Sequence, residues 1–236
     1  MTVWRVKNKK YLPGAVNDIC RRFKVTPLGA EIMLARELKS QDMIDFYKNA
    51  DISRLHPIKN IPQVQQAFSV ILSAIEKNLP IVIYGDYDVD GITSTVILCK
   101  GLRALGADVT YFIPDRHTDG YGLNPSAVKK IAEQGCKLLI TCDNGIASKS
   151  EIAYAKELGV ATVILDHHEP PFKIQNNEKK YILPGAEATV DLKIEEIDYP
   201  FRELCAGGLC YKFIRELFEY LNKDFYLDEE LNVLAS

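Results

Sequence analysis

The stretch Val160-Ala161-Thr162-Val163-Ile164-Leu165-Asp166-His167-His168 decides the fold class. Its six apolar or β-branched residues carry no polar alternation, which is the signature of a strand buried on both faces of a parallel sheet. The strand is followed at once by a carboxylate and two imidazoles. Two earlier runs repeat the pattern. Ile81-Val82-Ile83-Tyr84 leads into Asp86, Asp88 and Asp90, and Leu138-Leu139-Ile140-Thr141-Cys142 leads into Asp143 and Asn144. Open α/β sheets bind ligands at the carboxyl ends of their strands. Three strand ends that supply oxygen and imidazole donors predict a metal site.

Working outward, helical and strand periods alternate from Pro62 onward. Val64, Ala67, Phe68, Ile71, Leu72 and Ile75 recur at helical spacing. Strands are predicted at 81–85, 108–113, 137–142 and 160–165, with helices at 93–105, 125–134 and 148–158 between them. Gly106, Gly135 and Gly159 follow these helices as left-handed stops. The rhythm predicts a doubly wound α/β domain with a parallel sheet of about five strands. Lys180 to Leu183 is the expected fifth strand. Residues 170–200 otherwise read as irregular, with Pro170-Pro171 and Pro184-Gly185. A helix is predicted over 201–221, and another opens at Asp228-Glu229-Glu230 and is cut short at Ser236, as in a truncated domain.

Residues 1–60 differ. They predict a helical extension, a cap on the sheet domain of residues 61–236, with three short amphipathic helices near 14–23, 29–38 and 41–48. A strand is conceivable only at Trp4-Arg5-Val6. Lys7, Lys9, Lys10, Arg21, Arg22 and Lys24 form a basic group there that reads as a solvated face.

Bulk properties narrow the function. The 236 residues are 47% hydrophobic and 26% charged, which excludes wholesale disorder. No apolar stretch reaches the ~18 residues of a membrane span, and the first residues hold no signal core. Net charge is −3, so a polyanionic substrate must be held by a local basic patch or by metal ions. None of the six cysteines forms a C-x-x-C pair, which points to free thiols in a reducing cytoplasm.

Asp86-Tyr87-Asp88-Val89-Asp90-Gly91 has the opening of an EF-hand loop, but Ile97 occupies the position where a bidentate Glu is required, and a β-run precedes it. A helix cap alone is the bland alternative. Three acids exceed what a cap uses, and their mutual repulsion is relieved by a bound cation.

Taken together, Asp86-Tyr87-Asp88-Val89-Asp90-Gly91-Ile92-Thr93-Ser94, Asp143-Asn144-Gly145 and Asp166-His167-His168 resemble the motifs of the DHH phosphoesterase superfamily. Ile113-Pro114-Asp115-Arg116, Gly120-Tyr121-Gly122-Leu123-Asn124 and Ala206-Gly207-Gly208 are similar to those of its RecJ-type single-stranded-DNA-specific exonucleases. The resemblance implies a cytoplasmic hydrolase of DNA repair and recombination that uses Mn2+ or Mg2+, with two ions in the complete protein. It implies removal of nucleotides from the 5′ end of single-stranded DNA. A single-strand-binding protein or a helicase is the implied partner. Asp86, Asp88, Asp143 and His167 match metal ligands, with Asp143 bridging. His168 matches a phosphate-binding group, and Asp166, Asp90 and Asn144 support the site from behind. Arg116 is expected to clamp a phosphate and Tyr121 to stack on a base.

The chain departs from that pattern in two places. The superfamily's fourth motif, a further Asp ligand beyond the helix that begins near Asp228, lies past Ser236. One metal site is therefore expected to lack a protein ligand, and cleavage by this chain is expected to be weak. Val82 stands where the wider superfamily often places a His. Competing readings are a DHH phosphodiesterase acting on short oligonucleotides or cyclic dinucleotides, and a non-catalytic DHH scaffold of replication.

Overall fold

The computed structural model describes residues 11–38, 40–48, 52–116, 120, 122–176 and 178–235. The chain divides into two compact units, Met1–Leu55 and His56–Ser236.

The first unit holds α1 (Pro13–Phe23), α2 (Pro27–Ala35) and α3 (Gln41–Lys48). Proline starts α1 and α2, where its missing N–H costs nothing. Val16, Ile19, Phe23, Ala30 and Ile44 form a small apolar cluster of its own. Trp4-Arg5-Val6 and the lysines at 7, 9 and 10 lie outside the described residues.

The second unit contains α4 (Pro62–Glu76), β1 (Ile81–Tyr84), α5 (Val89–Ala104), β2 (Val109–Phe112), α6 (Pro125–Glu133), β3 (Leu138–Cys142), α7 (Lys149–Glu157) and β4 (Ala161–Leu165). Then come β5 (Phe172–Gln175), β6 (Glu178–Tyr181), β7 (Ala188–Val190), α8 (Ala206–Tyr220) and α9 (Asp228–Ala235). Residues 56–60 belong to this unit: Glu216 accepts the Ile58 N–H at 2.8 Å, and the His56 carbonyl accepts from Tyr199 Oη at 2.8 Å.

Five parallel strands form one sheet in the order β2-β1-β3-β4-β7. Every residue of β1 and β3 is buried, as their unbroken apolar runs require. Successive side chains point to opposite faces. Val82, Tyr84, Leu139 and Ile164 meet α6 and α7 through Val128, Ile131, Ile152 and Ala155. On the other face α5 and α8 pack so closely that a Cβ on Gly101 would lie 2.3 Å from Ile214 Cγ2. The turns after α5 and α6 use positive φ at Gly106 (88°) and Gly135 (92°).

Three sequence expectations are corrected. The segment around Lys180 to Leu183 does not join the sheet. Its strand, β6, pairs antiparallel with β5 in a separate ribbon, because its charged side chains are solvent-exposed and no buried slot suits them. The fifth sheet strand is β7, which pairs with β4 through Leu165↔Val190. Helix α5 begins at Val89 rather than 93, because Asp88 caps it by accepting the Gly91 N–H at 3.0 Å. Helix α8 begins at Ala206 rather than 201, because its first free N–H groups are taken by Asp90.

Candidate metal centre

The carboxyl ends of β1, β3, β4 and β7 open on one side of the sheet, since all four strands run parallel. Asp86 follows β1 and is 2% exposed. Among the described residues its Oδ1 has no hydrogen-bond partner. Burial pushes its pKa up, the Tyr87 N–H opposes that, and Asp88 adds to it. A deeply buried carboxylate oxygen without a partner is costly unless something absent from the chain satisfies it. Gly91 lets this segment lie against the first turn of α5: a Cβ there would stand 2.5 Å from both the Asp86 N and O. Asp88 serves as the α5 cap and is exposed enough to reach a ligand.

Asp143 follows β3 with a positive φ of 61°, a left-handed turn that Asp tolerates better than most residues. It is buried, and burial raises its pKa against the pull of His167. His167 Nε2 lies 3.0 Å from Asp143 Oδ1 and 3.5 Å from Asp90 Oδ2. The other ring nitrogen, Nδ1, lies 3.1 Å from the Leu204 carbonyl. A carbonyl only accepts, so Nδ1 carries a proton. The Asp143 carboxylate also only accepts, so Nε2 donates to it, and this hydrogen bond raises the His167 pKa, in a position where a metal ion would take the place of the Nε2 proton. This is the arrangement of a metal-binding imidazole oriented from behind.

Asp166, at the end of β4, is fully buried. Its Oδ1 lies 2.7 Å from His168 Nδ1 and its Oδ2 accepts the Ile146 N–H at 2.9 Å. Burial alone would raise its pKa, but the His168 hydrogen bond and the Ile146 and His167 N–H groups outweigh it and hold the carboxyl below its usual range. The same bond raises the pKa of His168. His168 borders a cleft of about 340 Å³, together with Leu123, Asn144, Ser148 and Glu151. Asn144 donates Nδ2 to the Cys142 carbonyl at 3.0 Å, bracing the turn after β3.

Among the described residues two donor groups therefore stand within ion-binding reach: Asp86, Asp88 and Asp143, and Asp143, His167 and His168, each with ligand atoms within 4.8 Å of one another. Asp143 belongs to both. Asp90 is not in either group. It accepts the Ala206 and Gly207 N–H groups at 2.8 and 2.7 Å, so it caps α8 rather than its own helix. Arg116 sits with its guanidinium 5.5 Å from the centroid of the Tyr87 ring, beside the β1 loop. Tyr121 lies outside the described residues.

One residue escaped the sequence reading. Asp191 follows β7, is fully buried, and leaves Oδ2 without a hydrogen-bond partner among the described residues. Burial pushes its pKa up to about 7, with the neighbouring Asp166 adding to the rise. The signal was available, since Ala188-Thr189-Val190 followed by an acid repeats the pattern of the other three strand ends.

Comparison with known proteins gives the family and the fold. The model of the DHH family, N-terminal domain, matches residues 80–236. The single-stranded-DNA-specific exonuclease RecJ of Bacillus subtilis is 35% identical over 202 residues, covering 86% of this chain and 25% of its own. That of Escherichia coli is 28% identical over 207 residues, 87% of this chain and 34% of its own. The chain thus spans about a quarter to a third of the length of these relatives. A crystal structure of exonuclease RecJ bound to manganese matches with a TM-score of 0.61 at 30% identity, over 73% of this chain and 41% of the other. RecJ from Thermus thermophilus in complex with Mn2+ matches with a TM-score of 0.65 at 25% identity, over 94% of this chain and 29% of the other. With the strand-end acids and the Asp166-His167-His168 triplet in place on a matching fold, the chain belongs to the DHH family.

Proposed function

We propose that this chain is the metal-binding portion of a phosphodiesterase that removes nucleotides from the 5′ end of single-stranded DNA. The observation that carries the reading is the sharing of Asp143 between two donor groups, which suits a pair of divalent ions held by one bridging carboxylate. The RecJ relatives supply the single-stranded-DNA substrate of the proposal, and the manganese-bound RecJ structures supply the metal. The 5′ polarity comes from the resemblance of the motifs.

Asp86, Asp88, Asp143 and His167 would hold Mn2+ or Mg2+; carboxylate and imidazole donors suit the first, carboxylates with water the second. Such ions screen the charge of a phosphodiester and acidify water at neutral pH. The protein's own groups do the rest. Leu204 fixes the His167 ring so that Nε2 faces inward. Asp166 holds Nδ1 of His168 and favours its protonated form, which suits it to donate to a phosphate oxygen. Arg116, kept beside the site by the Tyr87 ring, would grip the same or the next phosphate. No Ser or Cys nucleophile is required. Among the described residues no helix is long and apolar enough to cross a membrane. The proposed setting is the cytoplasm, with a helicase or a single-strand-binding protein as the class of partner that presents the strand.

The test is release of mononucleotides from a 3′-labelled single-stranded oligonucleotide with Mn2+. Shortening from the 5′ end that ceases with EDTA and in Asp143→Asn supports the proposal. Metal-independent cleavage, or no cleavage when the chain is supplied within its complete protein, refutes it.

A further inference from the structure

The β5–β6 ribbon leaves the sheet directly after the Asp166-His167-His168 triplet, through Glu169-Pro170-Pro171. Two prolines make this connection stiff. The Ile182 N–H donates to the Pro171 carbonyl at 2.7 Å and closes the base of the ribbon. All described residues from 172 to 180 are solvent-exposed.

The two faces of the ribbon differ. Phe172 and Tyr181 stand opposite each other on one face, edge to face with ring centroids 6.5 Å apart. Lys179 lies over the Phe172 ring at 4.9 Å and pairs with Glu195 at 2.6 Å. Glu195 thereby ties the ribbon to the loop after β7. The other face places Lys173 directly opposite Lys180. Among the described residues neither lysine forms an ion pair; Glu178 shares the face but is joined to neither. Like charges directly opposite on an antiparallel pair destabilise it. Lysines also guard exposed strand edges, but a guard works without a facing pair. In a chain of net charge −3, two lysines held face to face outside any ion pair, on a ribbon that opens at Phe172 just after the Asp166-His167-His168 triplet, form a local cradle for a polyanion.

We propose that Lys173 and Lys180 contact the phosphate backbone of the single-stranded DNA whose terminal nucleotide lies at the metal centre. The ribbon is then a guide for the strand outside the cleft. Each of its strands reaches about 13 Å. This inference rests on the reading of the site as a single-strand nuclease.

The test is fluorescence anisotropy with a labelled oligo(dT) carrying phosphorothioate linkages, which keep the charge and resist hydrolysis, with Mn2+ present at several salt concentrations. Wild type, the double variant Lys173→Gln/Lys180→Gln and the double variant Lys173→Arg/Lys180→Arg are compared. Loss of two phosphate contacts weakens binding about 10- to 30-fold at 0.1 M salt and lowers the salt slope by about 1.4, whereas the Arg pair keeps both. If wild type binds and the Gln pair binds equally with the same slope, the ribbon inference falls and the nuclease reading stands. If wild type does not bind the oligonucleotide even when supplied within its complete protein, the nuclease reading falls and the inference with it. Displacement of the oligonucleotide by polyglutamate at equal charge concentration overturns the assignment to DNA and points to an acidic peptide.

Discussion

Asp90 and Gly207, far apart in sequence, meet through a 2.7 Å hydrogen bond from the Gly207 N–H to the Asp90 carboxylate, which also accepts from Ala206. The first turn of α5 thereby starts α8. The negative charge suits the positive end of that helix. It also stands 3.5 Å from His167 Nε2, so one carboxylate joins the helix pair to the candidate metal centre.

Asp90→Ala is expected to lower stability by about 1–3 kcal/mol, since two donors at the start of α8 lose their acceptor. Chemical denaturation of the metal-free chain measures this. A change within error of zero would mean that water replaces the carboxylate without loss.

Gly91→Ala places a methyl group within 2.5 Å of the Asp86 backbone, which cannot yield without moving Asp86 itself. We expect loss of divalent-metal binding together with destabilisation of about 1–3 kcal/mol. Calorimetric titration with Mn2+ reads the first effect. Wild-type affinity in this variant would show that the Asp86 segment tolerates displacement.

The Asp166–His168 bond makes a pH prediction with two signs. The pKa of Asp166 is lowered on folding, so its contribution is present above the ordinary carboxylate range and lost as pH falls through the folded value. The pKa of His168 is raised, so its contribution is full below the ordinary imidazole range and lost as pH rises through the folded value. Asp166→Asn is expected to shift the His168 titration midpoint downward in NMR spectra of the metal-free chain. An unmoved midpoint would show that Asp166 does not govern this imidazole.

Asp191 acts in the opposite sense. Its folded pKa of about 7 lies above the unfolded value, so between roughly pH 4 and 7 the folded chain holds a proton that the unfolded chain has lost. Stability attributable to this group therefore falls as pH rises, by at most about 1.4 kcal/mol per pH unit. The stability difference between wild type and Asp191→Asn, measured by denaturation in the absence of metal, is expected to move in favour of the variant across that window. A difference independent of pH would show that Asp191 ionises normally.

The sheet and its acids were legible because a buried parallel strand is written as an unbroken apolar run, and the first acid after it marks the strand's end. Ile81 to Tyr84, Leu138 to Cys142 and Ala161 to Leu165 all obey this. β7 is only faintly legible: an acid follows its apolar run as at the other strand ends, but three residues make too short a run to stand out, and Asp191 is passed over with it. Lys180 to Leu183 had β character without telling which partner it would take, and the ribbon answers through cross-strand pairing alone. The starts of α5 and α8 depended on which acid caps which helix. For Asp90 that is a tertiary contact, invisible to any local pattern.

The central claim is that Asp143 is the carboxylate common to two ion sites, and the direct measurement is Mn2+ binding followed by electron paramagnetic resonance for wild type, Asp143→Ala and Asp88→Ala. Asp143→Ala is expected to weaken binding at both donor groups, whereas Asp88→Ala, present in only one of them, leaves binding at the other, where Asp143 and His167 supply the ligands and His168 stays with the phosphate. Wild-type Mn2+ binding by Asp143→Ala, or no Mn2+ bound by wild type, would contradict it.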